Sequence, residues 1–566
     1  MRSGRRVRLY TVGVAVLVAA VGWVLAGHRH FLFGSALLMA GLVVAGAVVR
    51  PGGRSGALIA RYDRHTRRHA GTASRWDVFR SSSAWAMRRK AAVVRPSLRG
   101  VRWWRRWRVP LLTYAVPLCR VDVRIGGRVF GQTVWTSGEE STLRVGIPGT
   151  GKTAEAACRV IDAPGGVVVT STATDLYELT ARLRARRGPV AVFNPAGLGG
   201  LASTLRWSPL VGCQDPAVAA RRAADLMGPA GEPGSEGERW AVQGRRVLAV
   251  LLHAAGLGGY RMRDVAAWIA NPDAARAEVL SALADSVQPF EMRRAAEQAI
   301  GMNARTRDGV MLPIAQALAW VTQPAAAQVG DPDPDAVVFT VADLTDRAGV
   351  LYLLGDDDGA VGPLIAALTA EIAHQARAAA AARPAGRLDP GLTFVLDEVA
   401  LVCPTPLDRW MAELRKRSIV IHAACQGLGQ LRERWGDNGA SMILNSAAAV
   451  LVFGGCKDAK DLELFGQLTG EREEPVHTRD EHGRVTSTTT RRVPVIAPAM
   501  LAGLANHRAL LIRRGMPPAL VRTPIAWKRR DVRKAAGVEA KVLRAAEKAA
   551  ARGAKQPQRE AEAVNS

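Results

Sequence analysis

Hydrophobic positions fall into three regimes along the chain. Residues 9–27 and 31–49 are apolar runs of 19 residues without a charge, separated only by His28, Arg29 and His30. About 20 such residues at 1.5 Å each cross a bilayer core, so the pattern predicts a two-helix transmembrane hairpin. Arg2, Arg5, Arg6 and Arg8 precede it and an arginine-rich run follows. The positive-inside rule then predicts a multi-pass protein of the inner (cytoplasmic) membrane, with both termini and the remaining chain cytoplasmic. A secretory signal is the other reading of the first run. The second span three residues later, and the lack of a small-residue cleavage site, weigh against it.

The second regime consists of short, largely apolar stretches at 166–170, 189–194, 350–354, 392–396, 418–424 and 448–453, with a further short strand expected at 141–145 and the pattern returning near Val337. Such runs read as buried strands. Helical patterns at 154–161, 176–187 and 362–381 lie between them, and this alternation predicts an α/β fold built on a parallel sheet. The third regime, from about 217 to 319, is Ala- and Leu-rich with helical spacing, broken by GPAGEPGSEGE at 228–238. It predicts an all-α domain inserted into the α/β core. The expected organisation is a transmembrane hairpin (1–50), a basic Trp-containing linker (51–119), a nucleotide-binding domain in two pieces (120–212 and 335–526), an inserted helical domain (213–334) and a basic helical or disordered tail (527–566).

Charge changes this picture only as to partners. The formal net charge is +27 over 566 residues, which points to polyanions. Between Arg50 and Arg108 there are 17 Lys/Arg against Asp63 and Asp77, interleaved with Trp76, Trp85, Trp103, Trp104 and Trp107. Anionic lipid is the first reading of that stretch, and single-stranded nucleic acid stacked on tryptophan the second. The tail has too few large apolar residues to bury much surface, so it reads as solvated, with a DNA-contacting arm as the alternative. The six cysteines form neither a CxxC pair nor a zinc pattern and read as reduced and structural.

One motif carries defined chemistry. Gly146-Ile-Pro-Gly149-Thr150-Gly151-Lys152-Thr153 satisfies G-x-x-x-x-G-K-[ST] between an expected strand and an expected helix. Its backbone N–H groups would turn inward around phosphate oxygens at the positive end of that helix. Lys152 would neutralise the β- and γ-phosphates of ATP, and the Thr153 hydroxyl would ligate Mg²⁺. A hydrolase also needs carboxylates nearby. The run LTFVL at 392–396 ends in Asp397-Glu398, where parallel sheets bind ligands. Asp397 would hold the Mg²⁺ shell and Glu398 would orient the attacking water. Lys152 and Asp397 are 245 residues apart, more than a bare nucleotide-binding core requires. Gln426, at the end of the next strand, is either a γ-phosphate sensor or an ordinary polar strand end. His422 within that strand reads as a satisfied core histidine.

With these residues in view, the chain resembles the TraG/TraD-like conjugative coupling proteins of type IV secretion systems, in an actinobacterial type. The likeness covers the anchor, the phosphate loop, RWSPL at 206–210, the helical insertion, VLYLL at 350–354, FVLDE at 394–398, RKRSIVIHAACQGLGQL at 415–431, ILN at 443–445, FGG at 453–455 and RALLIRRGMPP at 508–518. The resemblance implies a RecA-like core with an all-α domain, assembled as a homo-hexamer at the inner membrane. It implies an ATPase that brings relaxase-bound DNA, single-stranded, to the secretion channel proteins. It also implies that Gln426 is the family's third motif and that Arg415, with Arg417 as substitute, acts on the neighbouring subunit's site, an exposed helix arginine being the alternative. Relatives carry an acidic or lysine-bearing turn where this chain has Ser171-Thr-Ala-Thr-Asp175, which leaves no phosphate or metal role assigned to that turn. Rival readings are an FtsK-like duplex translocase or a type VII secretion ATPase, for which an inserted helical domain of this size is foreign, and a scaffold whose nucleotide site controls assembly.

Overall fold

The computed structural model describes residues 71–125, 128–229, 235–332, 340–356, 359–479, 482 and 485–537. The two apolar runs at 9–27 and 31–49 lie outside these residues, as do Val337 and the tail beyond 537. Among the described residues no helix is long and apolar enough to cross a membrane. The expectation of a transmembrane hairpin and a multi-pass inner-membrane location is corrected on this finding. The longest described helix, Glu236–Gly258, carries Glu236, Glu238, Arg239, Arg245 and Arg246 and so supplies no span.

The described chain opens with two helices inside the stretch read as a linker. Ser74 closes a capping box with Asp77 at the start of α1 (Arg75–Ser82), and the Ser83 hydroxyl accepts the Ala86 N–H at the start of α2 (Ala84–Val94). Val78 of α1, and Met87, Ala91 and Val94 of α2, are buried. The α2 residues pack on Tyr114 and Ala115. Trp85 stacks on Phe79 with centroids 5.6 Å apart, under the Arg89 guanidinium at 4.9 Å. From residue 71 onward this stretch is therefore folded structure.

A long antiparallel hairpin follows, β1 (Ala115–Ile125) and β2 (Arg128–Ser137). Then β3 (Thr142–Val145) feeds α3 (Lys152–Asp162), β4 (Val167–Ser171) feeds α4 (Asp175–Ala185), and β5 (Val190–Phe193) completes the first half. The next elements are all helical: α5 (Pro216–Met227), α6 (Glu236–Gly258), α7 (Met262–Ala270), α8 (Pro272–Ala282), α9 (Pro289–Ile300), α10 (Ala304–Ala317) and α11 (Pro324–Gly330). Strands resume with β6 (Val350–Leu354), then α12 (Gly362–Ala381), β7 (Leu392–Leu396), β8 (Ile419–Cys425), α13 (Leu428–Ser446) and β9 (Ala449–Phe453). The exposed hairpin β10 (Glu471–Arg479) and β11 (Val485–Pro494) stands apart as a two-stranded sheet, before β12 (Arg508–Arg513) and β13 (Met516–Arg522).

The large sheet has the order β2-β1-β13-β12-β9-β3-β8-β7-β4-β6-β5. From β9 to β5 every pairing is parallel, and from β9 back to β2 every pairing is antiparallel. Parallel strands are covered on both faces, which is why β3, β4, β6, β7, β8 and β9 are buried at every position and are largely apolar, Arg144 of β3 and His422 of β8 being buried exceptions. The helices between β5 and β6 share a core with the sheet through residues such as Leu248, Trp320, Leu353 and Leu364. Arg222 of α5 joins them further. It is buried, donates to Glu371 Oε2 of α12 at 2.8 Å, and lies over the Trp207 ring at 4.6 Å.

Beneath the loop that follows β3, a buried charge network fixes strand to helix. Glu155 of α3 accepts from Arg144 of β3 and, at 2.6 Å, from Arg159. Arg144 also donates to Thr142 Oγ1 at 2.9 Å, which lies 2.8 Å from His422 Nδ1, and Arg159 donates to Thr136 Oγ1 at 3.2 Å. His422 is thus a satisfied core histidine. Burial, then Arg144 and Arg159, hold its pKa well below the ordinary value, so the ring is neutral. Burial pushes the Glu155 carboxyl up, but the two guanidiniums outweigh it and hold it below the usual glutamate range. A depressed carboxylate contributes stability above its unfolded pKa and loses it as pH falls through the folded value. Glu155→Gln leaves two buried guanidiniums short of their counter-charge. It is expected to cost about 3–5 kcal/mol at neutral pH, read by denaturant unfolding, with the difference from wild type shrinking under acid.

Candidate functional site

The parallel strands deliver their C-terminal ends to one edge of the sheet, where ligands of such folds bind. Along that edge stand, in spatial order, Phe453-Gly454-Gly455 after β9, the loop 146–151 after β3, Cys425-Gln426 of β8, and Asp397-Glu398 after β7. Strand β8 therefore separates the glycine loop from the acidic pair.

The loop is shaped by contacts that admit no side chain. A Cβ on Gly146 would stand 2.6 Å from the Phe453 Cβ. Gly151 has φ 109°, in the left-handed region, and a Cβ there would stand 2.4 Å from His507 Nδ1. Gly149 is also left-handed, the Gly146 N–H donates to Cys425 O at 3.2 Å, and Thr150 Oγ1 closes the turn onto Ile147 O at 2.7 Å. These bonds place Lys152 and Thr153 in the first turn of α3.

Lys152 is buried, and its Nζ donates to Gly146 O, to Glu398 Oε1 at 3.0 Å and to Cys425 O at 3.3 Å. Thr153 Oγ1 lies 3.5 Å from Asp397 Oδ2. Glu398 adopts φ 44° and ψ 50°, a left-handed backbone that a non-glycine residue holds only under constraint. Its Oε2 is buried without a hydrogen-bond partner among the described residues. Burial, then Glu398, push the Asp397 carboxyl up to about 6, with Lys152 opposing and Asp175 adding to the shift. Thr153 and Asp397 form a small set of hard oxygen donors. That suits Mg²⁺, which keeps waters and phosphate oxygens in its octahedron rather than an all-protein cage. No cluster of three or more His, Cys, Asp or Glu able to hold a metal occurs among the described residues.

Gln426 stands between the loop and the acidic pair, its main-chain N–H donating to Gln430 Oε1 at 2.9 Å. Arg415 is not brought to this site. It is exposed on the turn Leu414–Arg417 before β8, at the opposite edge of the sheet, so a seven-residue strand of about 23 Å intervenes. Arg417 shares that turn and pairs with Glu413 at 3.7 Å. Two neighbours of the site have no signature in the sequence. Asp175, at the head of α4, is close enough to raise Asp397. His507 precedes β12 and leans on the loop from the far side. The folded sheet brings the first to Asp397 and the second to Gly151.

Fold and edge together define the class: a mixed α/β protein whose large sheet has a parallel half ending in a P-loop. Residues 391–506 match the family model described as the TraM recognition site of TraD and TraG, so this segment is TraG/TraD-like. Its fold is that of the bacterial conjugative coupling protein TrwB. The unbound form of TrwBdeltaN70 superposes with a TM-score of 0.52 at 20% identity, covering 71% of this chain and 87% of that one. TrwB with the ATP analogue ADPNP gives 0.52 at 20% identity, covering 73% and 95%. TrwB with ADP and Mg²⁺ gives 0.51 at 21%, covering 69% and 85%. Among curated proteins the sequence has no match.

The raised Asp397 pKa has a stability consequence. Between the unfolded value of 3.8 and the folded value of about 6 the folded state binds more protons, so this group's contribution to stability falls as pH rises through that window. Asp397→Asn removes the penalty. Without nucleotide it is expected to raise the Tm by about 2 °C at pH 8 and to leave it unchanged at pH 4, in a thermal unfolding series.

Proposed function

We propose that the protein is an ATPase that couples hydrolysis of Mg-ATP to the transfer of DNA, as a relaxase-bound single strand, to a type IV secretion channel. The observation that carries this reading is the meeting of Lys152, Thr153, Asp397 and Glu398 at one sheet edge, with Glu398 Oε1 3.0 Å from the Lys152 ammonium. The coupling-protein fold and the TraG/TraD-like segment support it, as does the helical insertion between β5 and β6. The description of that segment as a TraM recognition site favours an accessory protein of the DNA-processing complex as a partner.

The loop N–H groups would receive the phosphates, and Lys152 would exchange its bonds to Gly146 O and Glu398 for phosphate oxygens. Thr153 and Asp397 would hold Mg²⁺, which when bound offsets charge on the β- and γ-phosphates. Released from Lys152, Glu398 is left with a carboxylate held by its constrained backbone towards the loop, able to accept a proton from water in line with the γ-phosphate. Gln426 would report the presence of that phosphate through β8 and α13. Arg415 lies too far from its own site to assist, and in a hexameric ring it would serve the adjacent subunit, where a guanidinium stabilises charge developing in the transition state.

The full chain is expected to hydrolyse ATP with a rate stimulated by single-stranded DNA. Lys152→Ala and Glu398→Gln should each lower the rate by at least about a hundredfold. No turnover under any condition, or turnover indifferent to Lys152→Ala, refutes the ATPase. Stimulation by duplex alone transfers the protein to the FtsK-like class. A separate mixing experiment addresses the ring. Arg415→Ala subunits combined with Glu398→Gln subunits are expected to recover a substantial fraction of activity that neither has alone, and absence of any recovery refutes action in trans.

A further inference from the structure

We infer that His507 and Trp527 form a nucleoside subsite beside the phosphate loop, in which the base of the bound nucleotide stacks on the Trp527 indole and the ribose meets the His507 imidazole. This rests on the nucleotide reading of the loop and assigns the half of the ligand which that reading leaves open.

Sheet order sets the direction of the ligand. Asp397 and Glu398 stand on the β8–β7 side of the loop, so the γ-phosphate end of a triphosphate faces that way. The other end must leave towards β9 and β12. His507 occupies that position. Strand β12 is antiparallel to β9, so its start, rather than its end, lies at the ligand edge.

The residue is fixed there by its backbone. The His507 N–H donates to Thr150 O at 2.9 Å, its carbonyl accepts the Thr523 N–H at 3.0 Å, and its φ is 61°. A side chain held at positive φ by two main-chain bonds is a constrained feature of the kind that collects at ligand sites. The ring lies directly against Gly151. Its Nδ1 is buried and has no hydrogen-bond partner among the described residues. Burial, then Lys528, lower the His507 pKa, so the ring is neutral near pH 7 and has one nitrogen to donate and one to accept. A ribose hydroxyl can do either.

Trp527 completes the pair. Its ring meets His507 edge-on, 5.7 Å between centroids at 74°, and it remains 48% exposed although its neighbours on both sides are anchored. Ala526 is fully buried against Ala156, Ala157 and Val160 of α3. Arg529 makes a two-pronged bond to Asp162, at the end of the same helix, at 2.7 and 2.8 Å. An indole held out into solvent at the phosphate-binding end of α3 offers a face to any base, since stacking needs only a π surface.

The test separates nucleoside from phosphate recognition by calorimetry on the full chain, with ATP and inorganic tripolyphosphate as probes in the presence of Mg²⁺. Trp527→Ala is expected to weaken ATP about tenfold and tripolyphosphate less than twofold. Trp527→Phe should recover most of the loss, and His507→Ala should weaken ATP alone. Equal weakening of both ligands would mean a merely structural role and overturns the inference, as does unchanged ATP affinity in Trp527→Ala. Lys152→Ala should weaken both probes whatever Trp527 does, so the subsite can fail while the phosphate reading stands. Failure of the wild type to bind either probe overturns both.

Discussion

Everything at the ligand edge depends on the parallel insertion of β8 between β3 and β7. Its register pairs Val145 with Cys425 and Leu396 with Ala423, so loop and acidic pair emerge level with one another, one strand apart. Without it Lys152 could not reach Glu398, 246 residues away in sequence. The Cys425 carbonyl then serves twice, accepting the Gly146 N–H and the Lys152 ammonium. A shift of one residue in that pairing would turn every β8 side chain to the opposite face and break both bonds.

Charge burial is the cost of this arrangement, and the chain confines it to two layers. Below the loop, Glu155 compensates two guanidiniums within a sphere that also satisfies Thr142 and His422. At the edge, compensation is incomplete. Lys152 faces Glu398, the Asp397 carboxyl is pushed up to about 6, and Glu398 Oε2 has no partner among the described residues. The lower layer ties strand to helix through Glu155, although Nη2 of both Arg144 and Arg159 has no hydrogen-bond partner among the described residues. The upper layer retains unmatched groups, as a site must if it is to gain by binding a charged ligand.

How much of this was legible in the sequence follows from how each element hides its apolar side. Strands buried on both faces, such as LTFVL and VLYLL, write themselves as continuous runs. The hairpin β10–β11 buries no side and left no trace in EREEPVHTR. The β1–β2 hairpin and β12–β13 interleave arginine with apolar residues and were missed as strands. Helices α1 and α2 were masked by an arginine content that suggested a linker. They hold to the sheet by a few positions, chiefly Val78, Met87 and Ala91. The apolar runs at 9–27 and 31–49 show the opposite hazard: hydropathy alone was read as a location, and none of the described helices adds to it. Among site residues the glycine loop and the acidic pair obey spacing rules. His507 owes its place to strand order and has no local pattern, whereas Asp175 closes the turn after β4 that the resemblance marks without assigning a role.

Strand order also explains why the two ends of the site are built from different materials. The γ side is made from β7 and β8, deep in the parallel half, where burial tunes carboxylates and a neighbour one strand away can exchange bonds with Lys152. The opposite side is made where the sheet turns antiparallel, from the start of β12 and the segment that follows β13. The start of β12 is tied to the loop ahead of α3 through His507 at Thr150, and the segment after β13 is tied to the far end of α3 through Arg529 at Asp162. Any displacement of α3 along its axis must therefore load one strap or the other. The helix carrying Lys152 and Thr153 is thus tied mechanically to the C-terminal segment.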